Sequence, residues 1–339
     1  RKAVKSFINA DKKAEIVFTR NATESINLIA YSYGLTFVKE GDEIIVSILE
    51  HHSNMLPWQM VAKAKGATLK YLYCDSEGVI KPEDLEAIIT DKTALVAITQ
   101  VSNVIGRTND IKAFADIAHK HAAVLVADGA QSVPHMRVDV QDLDVDFLAF
   151  SGHKMLAPMG IGVLYGKKEL LKKMPPFLYG GEMIESVTVD GATFARIPTK
   201  FEAGTVNVGG AVGLKAAIEY INEIGMDVIE EREVELTKYA IDKLRDIPYL
   251  TLLGSDDAAK HHGIITFDLK DCHPHDVADI LGGLDVNVRS GHHCAQPLLK
   301  HIGHPVTTRA SLAFYNVKED IDRLADALKG VRRTLGYGE

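Results

Sequence analysis

Seven short runs rich in β-branched and aromatic residues punctuate the first half of the chain: EIVFT, DEIIVS, ATLKYLY, TALVAIT, AVLVAD, DFLAF and GVLY. Helical patterns alternate with them, and strands spaced in this way join through right-handed crossovers into a mainly parallel sheet. Several runs are apolar throughout instead of alternating, which is the pattern of strands covered on both faces. The expectation is a buried, mainly parallel seven-stranded sheet flanked by helices, an α/β fold.

The pattern changes after it. From Val208 to about Asp246 the chain is helical in character, broken near Gly225 and ended by Ile247-Pro248, because proline disfavours helix in the residue before it. Then come GIITFDL, a helix from about Pro274, VNVRSG, TRASLAFY and a closing helix from Lys318. We read a large α/β domain over residues 1–219 and a smaller α+β domain over residues 220–339, in keeping with about 150 residues per domain.

Composition removes whole classes of function. Hydrophobic residues make up 46% and charged residues 25%, which fits neither a disordered nor a fibrous chain. Lysine and arginine number 38 against 46 acids, with no basic run to grip a phosphate backbone, so nucleic acid is not an expected partner. No apolar stretch approaches the ~20 residues that span a bilayer, and the opening RKAVKSFINA lacks a signal-peptide core. Three cysteines, Cys74, Cys272 and Cys294, cannot all pair within one chain. Free thiols in a reducing, cytoplasmic setting are expected.

Ligands of open parallel sheets gather outside the carboxyl ends of the strands. After EIVFT comes Arg20-Asn21-Ala22-Thr23-Glu24, where Asn21 and Glu24 have capping-box spacing and the first-turn N–H groups with Thr23 offer an anion site, although an ordinary helix cap reads the same way. After DEIIVS come Glu50, His51 and His52; after TALVAIT comes Gln100-Val101-Ser102-Asn103. AVLVAD ends in Asp128, followed by Gln131, and a carboxylate at the tip of an apolar strand requires a cation or strong donor. DFLAF is followed by Ser151-Gly152-His153-Lys154. Five neighbouring strand ends thus offer an anion-binding helix start, a histidine, an amide, a carboxylate and an amine. Those are the needs of pyridoxal 5′-phosphate: a cradle for its phosphate, a flat group over its ring, a donor to its phenolic oxygen, an aspartate for its pyridinium nitrogen and a lysine for its Schiff base.

The stretches TRNATESIN, EHHSNMLPWQ, VSNVIG, VADGAQ, SGHK, FEAGTVN, RSGHHCAQP and TRASLAFYN resemble the motifs of the Suf-type, group II cysteine desulfurases, in the class V aminotransferase family of fold-type I pyridoxal phosphate enzymes. The similarity runs over essentially the whole chain, and SGHK becomes strongly specific once RSGHHC follows it far downstream. The resemblance implies that Lys154 carries the cofactor, Asp128 pairs with its pyridinium, His51 stacks on the ring and moves protons, and Gln131 bonds the phenolic oxygen. It further implies that Thr23, Ser151 and His153 hold the phosphate, joined by Thr205 from the second subunit of a homodimer. Asn103, Arg289 and Arg309 would bind the substrate, L-cysteine, with Arg309 clamping its carboxylate. Cys294 would be the nucleophile that takes up the sulfur before a Suf-system acceptor protein receives it for iron–sulfur cluster assembly.

A thiol of ordinary pKa is only a few per cent ionised near pH 7. Arg289, His292 and His293 surround Cys294 in sequence and are expected to raise that fraction. Half a zinc site is the competing reading of His292-His293-Cys294, but no second cysteine pair follows and no metal is expected. Cys74 and Cys272 read as incidental. The family's usual EAGTPN and RTGHHC stand here as EAGTVN and RSGHHC, and a family segment with a YLDNAA-like motif belongs before the region matching residue 1. A selenocysteine lyase would use the same lysine and cysteine, and comparing alanine release from cysteine and selenocysteine separates the two. A cofactor-free scaffold protein is the rival from another class.

Overall fold

The computed structural model describes residues 1–337 and divides into two compact units. The first comprises residues 1–72, 81–100 and 110–226; the second comprises residues 73–80, 101–109 and those from 227 onward.

The first unit holds the expected sheet. Its strands are β1 (Ile16–Thr19), β2 (Glu43–Ser47), β3 (Thr68–Leu72), β4 (Thr93–Thr99), β5 (Val124–Asp128), β6 (Phe147–Ser151) and β7 (Gly162–Gly166), in the spatial order β1-β7-β6-β5-β4-β2-β3. Pairs among β2 to β6 are parallel, whereas β7 runs antiparallel to both β6 and β1. The reason lies in the connection: only residues 152–161 separate β6 from β7, with one 3-10 turn and no helix, too little chain for a parallel crossover. β5, β6 and β7 are buried along their whole lengths, as their unbroken apolar runs imply. Val17, Ile26, Ile44, Trp58, Leu95, Val126, Ala149 and Leu164 share one buried core. Each large side chain there contributes about 1.5–3 kcal/mol relative to exposure, which makes the strand ends a rigid platform.

The strand order corrects one expectation. The ends of β6, β5, β4 and β2 are neighbours, but β7 intervenes between β6 and β1. The cross-sheet row Thr19, Gly162, Ser151 nevertheless joins the β1 end to the β6 end. It closes because Gly162 has no side chain: a Cβ there would lie 2.4 Å from Asn21 Cα. The helix Ala22–Leu28 therefore starts directly over the row, and its Ala22 N–H donates to Ser151 Oγ at 2.9 Å.

An exposed hairpin, β8 (Ile184–Thr188) with β9 (Gly191–Phe194), was not anticipated, although Val189-Asp190 followed by Gly191 is a readable turn signal. The long helical stretch is two helices, Val208–Ile224 and Met226–Arg245, parted at Gly225.

The second unit carries an antiparallel sheet of β10 (Leu250–Leu253), β11 (Ile264–Leu269), β12 (Arg289–Gly291) and β13 (Thr307–Ser311), ordered β10-β11-β13-β12. Leu236 and Ala240, Val277 and Leu281, and Ile321, Leu324 and Leu328 bring three helices into one core with Ile265 and Phe267 of the sheet. Register pairs Arg289 with Arg309 and Gly291 with Thr307. Among the described residues, no helix is long and apolar enough to cross a membrane.

Candidate active site

The carboxyl edge of the first unit's sheet collects most of the residues singled out above. Asp128 ends β5 almost fully buried, its Oδ1 accepting the Ala130 N–H at 2.9 Å. Burial pushes this carboxyl above the usual range, and the positive charge of Lys154 acts in the opposite sense. Lys154 closes the 3-10 turn Gly152–Lys154 that follows β6, the parallel neighbour of β5. His153 is exposed, and its imidazole is held below the ordinary value by partial burial and by Lys154.

His51 follows β2, and its Nδ1 accepts the Ser53 N–H at 3.1 Å. A neutral ring so bonded carries its proton on Nε2. Thr23 Oγ1 lies 2.7 Å from Ser53 Oγ, so the turn after His51 is tied to the helix start and Ser53 joins the candidate anion site. Asn21 caps that helix, accepting the Glu24 N–H at 2.9 Å. The expected capping box is only half formed, because the Glu24 carboxylate turns to the Arg20 N–H and guanidinium. Gln131 is half-buried three residues past Asp128. Thr205 is exposed and lines a cavity of about 840 Å³ in this unit with Phe18, Phe177 and Val212.

One functional candidate has no signal in the strand-end reading. Glu50, directly before His51, is fully buried; its carboxyl accepts from Ser47 Oγ, from Asn54 Nδ2 and from the Thr99 N–H at 2.7 Å. Burial pushes it up to about 8. Glutamate is nearly always solvated, so its burial is readable only from the fold.

The second unit presents the cysteine loop. Gly291 (φ 112°), His293 (φ 51°) and Cys294 (φ 57°) all have left-handed backbone, free for the glycine but costing about 1–3 kcal/mol at each of His293 and Cys294. Three hydrogen bonds hold it there. Asn103 Nδ2 donates to the His293 carbonyl at 2.7 Å, His293 Nε2 meets Thr307 Oγ1 at 2.9 Å, and the Ala295 N–H donates to the His292 carbonyl at 2.9 Å. The Asn103 amide thus clamps the loop, and the Arg309 Nη1 in turn donates to the Asn103 carbonyl.

Cys294 is half-buried, with Arg289 Nη2 3.7 Å from its sulfur. His293 does not supply charge: burial, reinforced by Arg309 and Arg289, holds its imidazole down at about 3, so it is neutral. Of the cations expected around Cys294, Arg289 is the one hydrogen-bonded to the thiol. Cys74 and Cys272 are buried, and burial pushes both thiols up, Cys74 to about 11. Arg309 faces Arg289 across β12 and β13, an arrangement that disfavours both charges. Burial and Arg289 push its guanidinium down to about 10, its Nε is buried without a hydrogen-bond partner, and neither arginine meets a carboxylate among the described residues. That pair is a ready site for an anion. Among the described residues, no group of three or more His, Cys, Asp or Glu could hold a metal ion.

This fold, with a buried carboxyl and a lysine on adjoining parallel strand ends, defines a class. The chain belongs to the class-V aminotransferase family, whose model matches residues 1–324. It is 51% identical over 337 residues to a probable cysteine desulfurase of Halalkalibacterium halodurans, covering 99% of this chain and 82% of that protein. A probable cysteine desulfurase of Staphylococcus epidermidis is likewise 51% identical, with 99% and 81% covered. Among solved structures, the cysteine desulfurase CsdA of Escherichia coli in an S-sulfonic acid form matches with a TM-score of 0.95 at 40% identity, over 98% of this chain and 82% of that one. The apo cysteine desulfurase of Thermococcus onnurineus matches at 0.94 and 42% identity, with the same shares covered.

Pyridoxal 5′-phosphate is the cofactor indicated by the family. The residues present fit it. Asp128 is a deeply buried carboxyl whose ionised form needs a cation, a need that Lys154 meets in part. A protonated ring nitrogen placed against Asp128 would supply the rest.

Proposed function

We propose that the chain is a pyridoxal-phosphate cysteine desulfurase, converting L-cysteine to L-alanine and holding the sulfur as a persulfide on Cys294. The observation that carries the reading is the second unit's loop: a half-buried thiol, on strained backbone, beside an arginine and close in sequence to two facing guanidiniums with no acidic partner. Identity near one half to the named desulfurases supports it.

The cofactor, held by Lys154, Asp128, His51, Gln131 and the Thr23, Ser151 and His153 group, supplies an electron sink that stabilises negative charge at the substrate's α-carbon. Asp128 would pair with the ring nitrogen and favour its protonated form. Arg309, assisted by Arg289, binds the substrate carboxylate, and Asn103 keeps the loop in its left-handed conformation. Lys154, once released from the cofactor, would take the α-proton as a general base, with His51 as a second proton-transfer group. Cys294 Sγ, as thiolate, attacks the substrate sulfur: the new S–S bond forms as the substrate's Cβ–S bond breaks, and the carbon fragment keeps that electron pair, is protonated and leaves as alanine. Arg289, whose Nη2 donates to the Cys294 sulfur, orients it for the attack.

The finer reading is a Suf-type enzyme: a cytoplasmic homodimer in which Thr205 completes the partner's phosphate site, and which passes sulfur to a dedicated acceptor protein for iron–sulfur cluster assembly. The half-buried Cys294 favours a partner that reaches the thiol over release to solvent.

Incubation with L-cysteine and pyridoxal phosphate, measuring alanine and sulfide together under reducing conditions, tests the activity. Both should form in equal amounts and both should vanish in Lys154→Ala. Alanine without sulfide, or neither product, would contradict the proposal.

A further inference from the structure

The buried glutamate before His51 has no place in the chemistry just derived. Glu50 is held by three donors. Ser47, the last residue of β2, and the Thr99 N–H of β4 both donate to Oε1, while Asn54 Nδ2 donates to Oε2. Asn54 cannot turn its amide over, because its Oδ1 accepts the Trp58 indole N–H at 3.0 Å. The Asn54 and Thr99 donors are therefore fixed, whereas the Ser47 hydroxyl donates to the ionised carboxyl and can turn to accept the proton of the neutral one.

The sheet explains what this cage accomplishes. Thr99 is the register partner of Asp128 across β4 and β5. β2 ends at Ser47, so beyond that point the Glu50 side chain takes the Thr99 N–H in place of a strand carbonyl. The turn that presents His51 is thereby pinned to the row that ends in Asp128. Ser47, Asn54 and Thr99 are neutral, and Asp128 is an ionisable group whose charge acts on Glu50, itself acted on by Lys154.

We propose that Glu50 is a positioning residue that fixes the His51 turn to β4 and, as a second buried carboxyl behind Asp128, adjusts with its own protonation the negative charge available to the cofactor's ring nitrogen. The inference rests on the pyridoxal-phosphate reading. Near neutral pH Glu50 is largely protonated, since burial and the Asp128 charge hold it at about 8 against three donors that favour the ionised form. Above that, it ionises and reinforces Asp128. A proton held at Glu50 thus makes cofactor retention a function of pH, with the tighter hold on the alkaline side.

The test is a pH titration of the holoenzyme between about pH 6 and pH 10, reading the visible absorption of the bound cofactor and its rate of loss on dilution, with thermal melting of the cofactor-free protein alongside. Wild-type protein should show a transition near pH 8 in all three. Glu50→Gln should abolish it. Ser47→Ala keeps the carboxyl but removes a donor to its charged form, and should raise the midpoint by about one pH unit. A loss of structure alone would weaken cofactor binding at every pH without moving a midpoint. A Glu50→Gln protein that titrates as wild type, or a Ser47→Ala midpoint that stays in place or falls, overturns the proposal. If Glu50→Gln does not fold, the Ser47→Ala shift decides. A wild-type chain that retains no cofactor contradicts the functional reading and this inference with it, whereas a visible band with an unchanged titration contradicts this inference alone.

Discussion

Two buried titratable residues, one in each unit, stand immediately before the residues assigned to chemistry: Glu50 before His51 and His293 before Cys294. Burial holds both in their uncharged forms near neutral pH, one pushed up to about 8 and the other down to about 3. Their settings differ. Glu50 lies just past the end of β2, at the point where the strand stops and a side chain takes over its ladder hydrogen bond. His293 lies on left-handed backbone, held by Asn103 and Thr307. The first unit achieves precision by extending a sheet, and the second by over-determining a strained loop. The sheet edge suits a permanently held cofactor. The loop suits a thiol that must be offered, loaded and emptied.

The comparison breaks first at the covalent residues. Lys154→Ala should lower alanine formation by at least about a hundredfold and remove the cofactor's visible band. Spectrophotometry and amino-acid analysis check the two halves separately. Next comes the anion pair. Arg309→Gln should raise KM for L-cysteine by about ten- to a hundredfold, the loss of a charge-assisted hydrogen bond, with a smaller change in kcat. Steady-state kinetics at saturating cofactor separates the two constants, and an unchanged KM would remove Arg309 from carboxylate recognition.

Acid stability sharpens the contrast between the units. The folded-state value of His293 lies below the unfolded value, so its contribution is present above about pH 6.5 and is lost as pH falls toward about 3. By pH 5 the loss amounts to about 2 kcal/mol. Glu50 works in the other direction: its raised value gives a contribution present below about pH 4.5 that is lost as pH rises through about 8. His293→Gln should therefore flatten the acid side of a melting-temperature profile and Glu50→Gln the alkaline side. Matching profiles for the two variants would erase the distinction drawn here. The smallest effect is expected for Arg289→Lys, which keeps a charge near Cys294 but loses the guanidinium donor. A few-fold fall in the alkylation rate of Cys294 by iodoacetamide is expected, read by mass spectrometry.

Much of this was legible in the amino-acid sequence, for identifiable reasons. All seven strands of the first sheet announced themselves through runs rich in β-branched and aromatic residues, and the buried β4, β5 and β6 through unbroken apolar runs, the pattern of strands covered on both faces. Asp128 stood out because a carboxylate at such a strand tip requires a partner. The position of β7 between β1 and β6 was hidden, since pairing order leaves no trace in a strand's composition. Segments 73–80 and 101–109, which cluster with the second unit, carry no composition shift to mark them. Glu50 was hidden for a similar reason: nothing local distinguishes a caged glutamate from a solvated one. His293 beside Cys294 looked like a source of positive charge, and only its burial with Arg309 and Arg289 makes it neutral. The loop's left-handed backbone was equally silent, because two of its three left-handed residues are not glycine.

The measurement that bears most directly on the account is intact-protein and peptide mass spectrometry after a single turnover with L-cysteine in the absence of reductant. One extra sulfur atom should appear on the peptide containing Cys294, none on those containing Cys74 or Cys272, and none anywhere in Cys294→Ala, which should still bind the cofactor. Sulfur carried on either buried thiol, or undiminished sulfide release by Cys294→Ala, would contradict the central claim.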